Sequence, residues 1–96
     1  MIAVIFIAEV GELPQQYYDL ASEVRILADQ YGCQEFVSVS ENGKEISISY
    51  WQSQDQIQRW KQDPTHLKAQ KLGQEQWYKS YKVQRSEERR VGKECR

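Results

Sequence analysis

The stretch VSVSENGKEISISYW, residues 37–51, decides the fold because an Asn-Gly pair stands between two alternating runs. Asn42 and Gly43 suit the positive backbone angles of a tight type I′ turn, which predicts a hairpin with strands over 34–40 and 45–51. Alternation divides the second strand into an apolar face and a reverse face that is small, polar and ends in an indole. The apolar face carries Ile46, Ile48 and Tyr50, and the reverse face carries Ser47, Ser49 and Trp51.

The segments before the hairpin predict a strand and a helix. Residues 2–9 are apolar on both faces, so this strand is expected to be covered on both sides. Pro14 is the predicted first helical position, and apolar residues then recur at three-and-four spacing until Gly32 ends the helix.

The segments after the hairpin predict a broken helix and a final strand. Ser53 and Gln56 have the spacing of a capping box, and Asp63 followed by Pro64 restarts the helix, which runs to Gly73. A turn over 74–77 then leads into an aromatic-rich strand over 78–84. The order strand, helix, strand, strand, helix, strand predicts an α+β, ferredoxin-like βαββαβ domain, whose four-stranded antiparallel sheet carries its helices on one face.

The second face of this sheet needs a cover that the chain does not offer. A second copy of the same sheet is the economical cover, so a homodimer is expected, with a cavity lined by the reverse faces of both sheets. The aromatic content supports a partner subunit, since 3 Trp, 6 Tyr and 2 Phe are more apolar bulk than 96 residues easily bury alone.

Composition excludes several classes of protein. The net charge is -1 and charges of both signs are interspersed, so nucleic acid is not an expected partner. The N-terminal MIAVIFIAEV lacks a basic segment and is interrupted by Glu9 and Glu12, so neither a signal peptide nor a membrane span is expected. Cys33 and Cys95 have no metal or redox spacing, which predicts no metal site and a reducing cytoplasm.

The last twelve residues, RSEERRVGKECR, differ abruptly in composition from the rest of the chain. They resemble a one-frame translation of a common sequencing adapter, beginning AGA TCG GAA GAG CGT, and no strand or helix pattern continues through them. We therefore interpret 85–96 as a non-native tail and 1–84 as the domain. A solvated charged tail is the alternative interpretation.

Three stretches, ISISYW, IQRWKQDPTHLKAQKLG and WYKSYKV, resemble the antibiotic biosynthesis monooxygenase family. The similarity covers nearly all of 1–84 and implies a ferredoxin-like domain that pairs into a dimeric α/β barrel. The family includes cofactor-independent oxygenases that act on aromatic polyketides and quinols, haem-degrading enzymes, and proteins with no known substrate. The resemblance therefore implies the fold more strongly than the activity.

The candidate catalytic residue is His66, the only histidine in the chain. It falls where many relatives carry a histidine in a short Pro-x-His helix start, and the first-turn amides there disfavour a positive charge. A neutral imidazole is a candidate base for an acidic carbon or phenol. The opposing interpretation is a structural histidine, because no carboxylate lies at a spacing that would orient the ring.

The candidate substrate-binding residues have the same two interpretations. Trp51 and Trp60 are predicted to stack on an aromatic substrate, or else to be core and interface bulk. Hydroxyl groups that could orient an oxygen atom of the ligand belong to Ser47, Ser49 and Tyr50, although serines on strand surfaces are common.

Three functional hypotheses remain open. The first is a cofactor-independent monooxygenase acting on a small aromatic or quinol-like substrate in the barrel. The second is a non-enzymatic dimeric module that binds a small hydrophobic ligand, and such a module could be associated with stress. The third is haem binding and degradation. Trp60 matches the helical tryptophan of that branch, but Gln70 stands where its histidine is expected and strand one has no asparagine, which disfavours haem; the hypothesis stays open because His66 lies one turn from Gln70.

Overall fold

The structure is a computed structural model and describes residues 1–87. Four strands and three helices follow one another in the predicted order, and a turn of π-helix, Gly73–Trp77, precedes the last strand. The elements are β1 (Ile2–Val10), α1 (Gln15–Gln30), β2 (Glu35–Glu41), β3 (Lys44–Trp51), α2 (Gln54–Lys61), α3 (Pro64–Leu72) and β4 (Tyr78–Glu87).

The strands form one antiparallel sheet in the order β2-β3-β1-β4. The predicted α+β, ferredoxin-like architecture is confirmed. The hairpin turn has φ of 52° at Asn42 and 77° at Gly43, and Glu41 pairs with Lys44 across it. Positive φ at both central residues is the type I′ geometry that the Asn-Gly pair predicts.

Local capping signals set the starts of the two short helices. The Ser53 hydroxyl accepts from the Gln56 backbone N–H, and the Gln56 side chain accepts from the Ser53 backbone N–H, which confirms the capping box. The Asp63 carboxylate accepts from the Thr65 N–H at 2.9 Å, and Pro64 occupies the first turn of α3. These two caps therefore fix where α2 and α3 begin.

Several boundaries differ from the sequence predictions, and two of the differences are informative. Pro14 has an extended backbone and caps α1 instead of being its first helical residue. The last strand continues through Arg85, Ser86 and Glu87, which pair with β1 residues. The prediction that no strand continues into the tail is therefore wrong as far as residue 87. Backbone pairing, which needs no apolar side chain, extends this edge strand. The rest of the predicted tail, including Cys95, lies outside the described residues.

The helices cover the serine-bearing face of the sheet. The buried cluster joins Trp51, Trp60 and Ile57 with residues of β1 and α1, namely Ile2, Val4 and Ala28. The expectation that this face points away from the helices of its own chain is therefore wrong. Trp51 is fully buried. A side chain of this size is covered only where helices pack on the sheet, so the helices cover the face that carries Trp51.

The opposite face of the sheet carries no helix of the described chain. It presents half-buried Ile5, Ile7, Ile46 and Ile48, and the cross-strand register places Ile5 beside Ile48 and Ile7 beside Ile46. Val39, at the end of this apolar strip, is 54% exposed. No helix within residues 1–87 is long and apolar enough to cross a membrane.

Candidate functional site

A cavity of about 560 Å³ lies between the sheet and the helices of a single chain. This size falls within the range of small-molecule sites. The sequence predicts a cavity between two copies of the sheet; this cavity instead lies within one chain, between the serine-bearing face and the helices that cover it. Its walls come from all four strands, the three helices and the π-helical turn.

The floor of the cavity is a row of serines on β2 and β3. Ser38 and Ser47 stand directly opposite each other, and Ser49 stands opposite Phe36. Ser49 is 3% exposed and accepts a hydrogen bond from the Trp51 indole N–H at 2.8 Å. The hydroxyls of Ser38 and Ser47 make no hydrogen bond within residues 1–87, so both are available to a ligand.

An aromatic wall closes one end of the cavity. The Trp60 ring lies 5.0 Å from the Trp51 ring and 6.4 Å from the Phe36 ring, and its indole N–H donates to the Val24 carbonyl at 3.1 Å. These contacts fix the orientation of Trp60. Trp60 lines the cavity, whereas Trp51 lies beneath it in the core and supports it.

His66 lies against this wall, at the third position of α3. The His66 ring meets the Trp60 ring edge-on at 4.4 Å, and its Nδ1 is buried without a hydrogen-bond partner among the described residues. Burial, and then the positive charge of Lys61, lower the pKa of His66 to about 4. The imidazole is therefore neutral at pH 7.

Asp63 does not orient the imidazole. Its carboxylate accepts from the Thr65 N–H and from the Tyr31 hydroxyl, at 2.9 and 2.8 Å. One carboxylate oxygen therefore caps the start of α3, and the other binds Tyr31 at the end of α1. Within residues 1–87, no carboxylate accepts a hydrogen bond from the His66 ring.

A carboxylate at the other end of the cavity escaped the sequence analysis. Glu45 accepts hydrogen bonds from the Tyr17 hydroxyl at 3.3 Å and from the Ser40 hydroxyl at 2.6 Å. Alternation along β3 places Glu45 on the same face as Ser47, so the sequence pattern is sufficient to predict that Glu45 lies beside the serines. Tyr17 could not be found in this way, because only the packing of α1 on the sheet brings it there.

Glu45 influences the tyrosines around it. Burial, followed by the negative charge of Glu45, raises the pKa of Tyr17, and the same two causes raise the pKa of Tyr78. The Tyr78 ring also packs on the Phe6 ring at 5.4 Å. This end of the cavity therefore combines aromatic surface with protonated phenols around one carboxylate.

The structure does not bring every predicted site residue into the cavity. Ser47, Ser49, Trp60 and His66 line it, whereas the Tyr50 side chain lies on the opposite face of the sheet. The roles of all these residues in binding or catalysis stay predictions.

The residues that line the cavity bear on haem and metal binding. Gln70 lines the cavity at the position where a haem-degrading relative is expected to carry its histidine, and an amide is a poor iron ligand. Within residues 1–87, no group of three or more His, Cys, Asp or Glu side chains is arranged to hold a metal ion. The donor set therefore does not suit haem ligation at Gln70.

Two sequence comparisons identify relatives of the chain. The family model described as antibiotic biosynthesis monooxygenase matches residues 8–72. The uncharacterized protein YqjZ of Bacillus subtilis (strain 168) is 39% identical over 83 residues, which cover 84% of this chain and 73% of that protein. The matched family region includes the serine floor, Trp60 and His66.

Solved structures share the fold at low sequence identity. SnoaB, a cofactor-independent oxygenase from Streptomyces nogalater, has a TM-score of 0.76 and 12% identity, with 94% of each chain covered. A conserved protein from Methanosarcina mazei Go1 has a TM-score of 0.79 and 15% identity, with 92% of each chain covered. These likenesses agree with the family match, and the chain belongs to the antibiotic biosynthesis monooxygenase family.

Proposed function

We propose that the chain is a cofactor-independent monooxygenase acting on a small, flat aromatic or quinol-like substrate in the cavity. The observation that carries the proposal is a neutral histidine beside a fixed tryptophan wall in a cavity of about 560 Å³. Membership of the family and the fold shared with a cofactor-independent oxygenase support it.

Binding rests on stacking and on the unused hydroxyls of the floor. The Trp60 ring offers a surface held in place by its hydrogen bond to Val24, so stacking costs little conformational entropy. Ser38 and Ser47 can donate to a carbonyl or hydroxyl oxygen above the sheet. A flat substrate packed against the aromatic side chains would displace water from its reacting part.

The proton step is assigned to His66. A substrate with an acidic methylene loses one proton to the neutral imidazole, and the resulting carbanion passes an electron to dioxygen. Recombination and loss of water then convert the methylene to a carbonyl, so that R₂CH₂ and O₂ give R₂CO and H₂O. Dioxygen is the oxidant, and one of its atoms enters the product.

The low pKa of His66 makes proton acceptance costly. Relative to an ordinary histidine, its conjugate acid is disfavoured by about 3 kcal/mol, since one pKa unit corresponds to about 1.4 kcal/mol. Only a substrate whose carbanion is strongly delocalised reacts at a useful rate under this condition. This requirement favours flat conjugated substrates over simple ketones.

Oxygen consumption by the full chain tests the proposal with anthrone as the probe, because anthrone has an acidic methylene and a flat ring system. We expect ¹⁸O from labelled dioxygen in the product carbonyl and a loss of about 100-fold in rate in His66→Gln, as for the removal of a general base. Leu67→Gln, an exposed change on the same helix, is the matched control. Equal rates in the two variants contradict the assignment of His66.

A non-enzymatic binding module is the second candidate function. It is favoured by the lack of an orienting group on His66, whose Nδ1 has no partner within the described chain. Saturable binding of anthrone without oxygen uptake supports this candidate and overturns the monooxygenase proposal. A haemin titration completes the test, since a Soret shift that is lost in His66→Gln supports haem binding instead.

The proposed partner is a second copy of the chain. The sheet face that carries Ile5, Ile7, Ile46 and Ile48 is apolar, and no described element covers it. A flat apolar face matches an identical face across a two-fold axis, since each residue then meets an apolar residue of the same strip. The cavities lie on the other side of each sheet, so each subunit keeps its own.

A further inference from the structure

The cavity contains one carboxylate among its described lining residues, and no cation neutralises it. Glu45 is half buried, and no Lys or Arg nitrogen within residues 1–87 lies within 4.0 Å of its carboxylate. A partly buried carboxylate that faces a cavity without a neighbouring cation can interact with a ligand bound there.

The present hydrogen-bond partners of Glu45 indicate which chemical group suits its carboxylate. One oxygen accepts from the Tyr17 hydroxyl and the other accepts from the Ser40 hydroxyl. Each carboxylate oxygen can accept about two hydrogen bonds, so each still has one free acceptor position. Because both existing partners are neutral hydroxyls, a third neutral hydroxyl from a ligand can join them without rearrangement.

Glu45 and His66 stand at opposite ends of the cavity. Glu45 is opposite Ser40 near the hairpin turn, whereas Ser49 is opposite Phe36, which contacts the Trp60 ring beside His66. Glu45 and Ser49 are four residues apart on one strand, which corresponds to about 13 Å. A substrate that stacks on Trp60 therefore reaches Glu45 only with the end remote from its reacting carbon.

We propose that Glu45 is a specificity-determining residue that selects substrates bearing a neutral hydroxyl at the end remote from the reacting carbon. The proposal rests on the proposed function for the position of the reacting carbon. Glu45 accepts a hydrogen bond from that hydroxyl and keeps it protonated. Ligands with an anionic group at this end are rejected by like-charge repulsion.

Three naphthalenes test the proposal by isothermal titration calorimetry of the full chain. The probes are 1-naphthol, which has the hydroxyl, 1-methoxynaphthalene, which has no donor, and 1-naphthoate, which carries a negative charge. We expect the wild type to bind 1-naphthol at least about tenfold more tightly than its methyl ether, as for a hydrogen bond to a charged group. It should bind 1-naphthoate more weakly than either.

Three variants show whether the Glu45 carboxylate itself causes the preference for 1-naphthol. In Glu45→Gln, the preference for 1-naphthol should fall to about threefold or less, and 1-naphthoate should bind more tightly than to the wild type. Glu23→Gln, the same change at an exposed position of α1, should leave all three affinities unchanged. Tyr17→Phe frees one carboxylate oxygen, so it should keep or increase the preference for 1-naphthol even if Glu45→Gln proves unstable.

The outcomes distinguish this proposal from the proposed function. A naphthol preference that is unchanged in Glu45→Gln overturns the role of Glu45, even where anthrone oxidation is observed. Tighter binding of 1-naphthylmethylammonium than of 1-naphthol also overturns it, because the carboxylate then selects a cation. The predicted preferences without any oxygen uptake support the role of Glu45 and count against the monooxygenase.

Discussion

Acidification from pH 7.5 to pH 5 should destabilise the folded chain through His66. Burial, and then the charge of Lys61, lower the pKa of His66 from its ordinary 6.5 to about 4 in the folded state. Between these two values the unfolded chain binds a proton that the folded chain does not, so the free energy of unfolding falls as the pH falls. The loss amounts to about 2 kcal/mol at pH 5 and about 3 kcal/mol at pH 4.

Urea unfolding of the wild type and His66→Gln measures this loss. His66 is the only histidine in the chain, so the difference between the two proteins isolates its titration from that of the carboxyl groups. With an m value of about 1 kcal/mol/M, the wild-type midpoint should fall by about 2 M more than that of the variant between pH 7.5 and pH 5. Packing lost on substitution lowers the free energy of unfolding of the variant equally at both pH values. It therefore does not change the comparison between the two midpoint shifts.

Two results would refute the reasoning. If both proteins lose the same stability between pH 7.5 and pH 5, His66 titrates at its ordinary value and is not held neutral by burial. An imidazole titration followed by NMR, with a midpoint above pH 6, would lead to the same conclusion. In either case the neutral base of the proposed mechanism would have to be abandoned at mildly acid pH.

Three further predictions concern single positions. Ser53→Ala removes the acceptor for the Gln56 N–H and should cost about 1 kcal/mol in urea unfolding; a loss below 0.3 kcal/mol would contradict the importance of the cap, taking the usual cost of about 1 kcal/mol. Gly73→Ala should cost about 1–3 kcal/mol, because the added Cβ would overlap the Tyr78 ring and displace it from Phe6; an unchanged melting curve would contradict this. Ile48→Glu puts a charge into the proposed sheet-to-sheet interface and should convert the proposed dimer to monomer in sedimentation velocity, whereas Glu23→Gln should not; a dimer that persists in Ile48→Glu would contradict this interface.

The elements of the fold follow from signals that act within a few residues. Asn42 and Gly43 determine the hairpin turn through their backbone preferences, and Ser53 and Asp63 start helices by accepting nearby N–H groups. These preferences are local, so the sequence predicts them well. Pro14 shows the limit, since a proline suits both the cap and the first turn and the difference is one residue.

The face that the helices cover is not a local property. Alternation separates Ile48 from Ser49 correctly, but it does not say which of the two points toward the helices. From the sequence, the apolar strip is the expected core. In the structure, the side chains of Trp51 and Trp60 fill the space between the helices and the sheet instead. The more uniformly apolar face is then left for the proposed partner.

The same distinction explains which site residues were found. The pattern around Pro64 and His66 is contained in one short segment, so it was predicted directly. The contact between Tyr17 and Glu45 joins residues 28 positions apart, and it exists only once α1 is packed on the sheet. The extension of β4 to Glu87 is likewise long-range, because it depends on pairing with β1 and not on the charged composition of the segment.

The two ends of the cavity impose opposite protonation states on a bound molecule. Burial, and then the negative charge of Glu45, raise the pKa of Tyr17 and of Tyr78, and the same charge favours the neutral form of a phenol on a ligand. At the other end, the half-buried Lys61 lies close enough to lower the pKa of His66, and the same positive charge favours an anion on a ligand. A substrate with acidic groups at both ends would therefore lose its proton beside His66 and keep it beside Glu45. In the proposed mechanism, this difference in potential selects the carbon that is oxygenated, without requiring His66 to be a strong base.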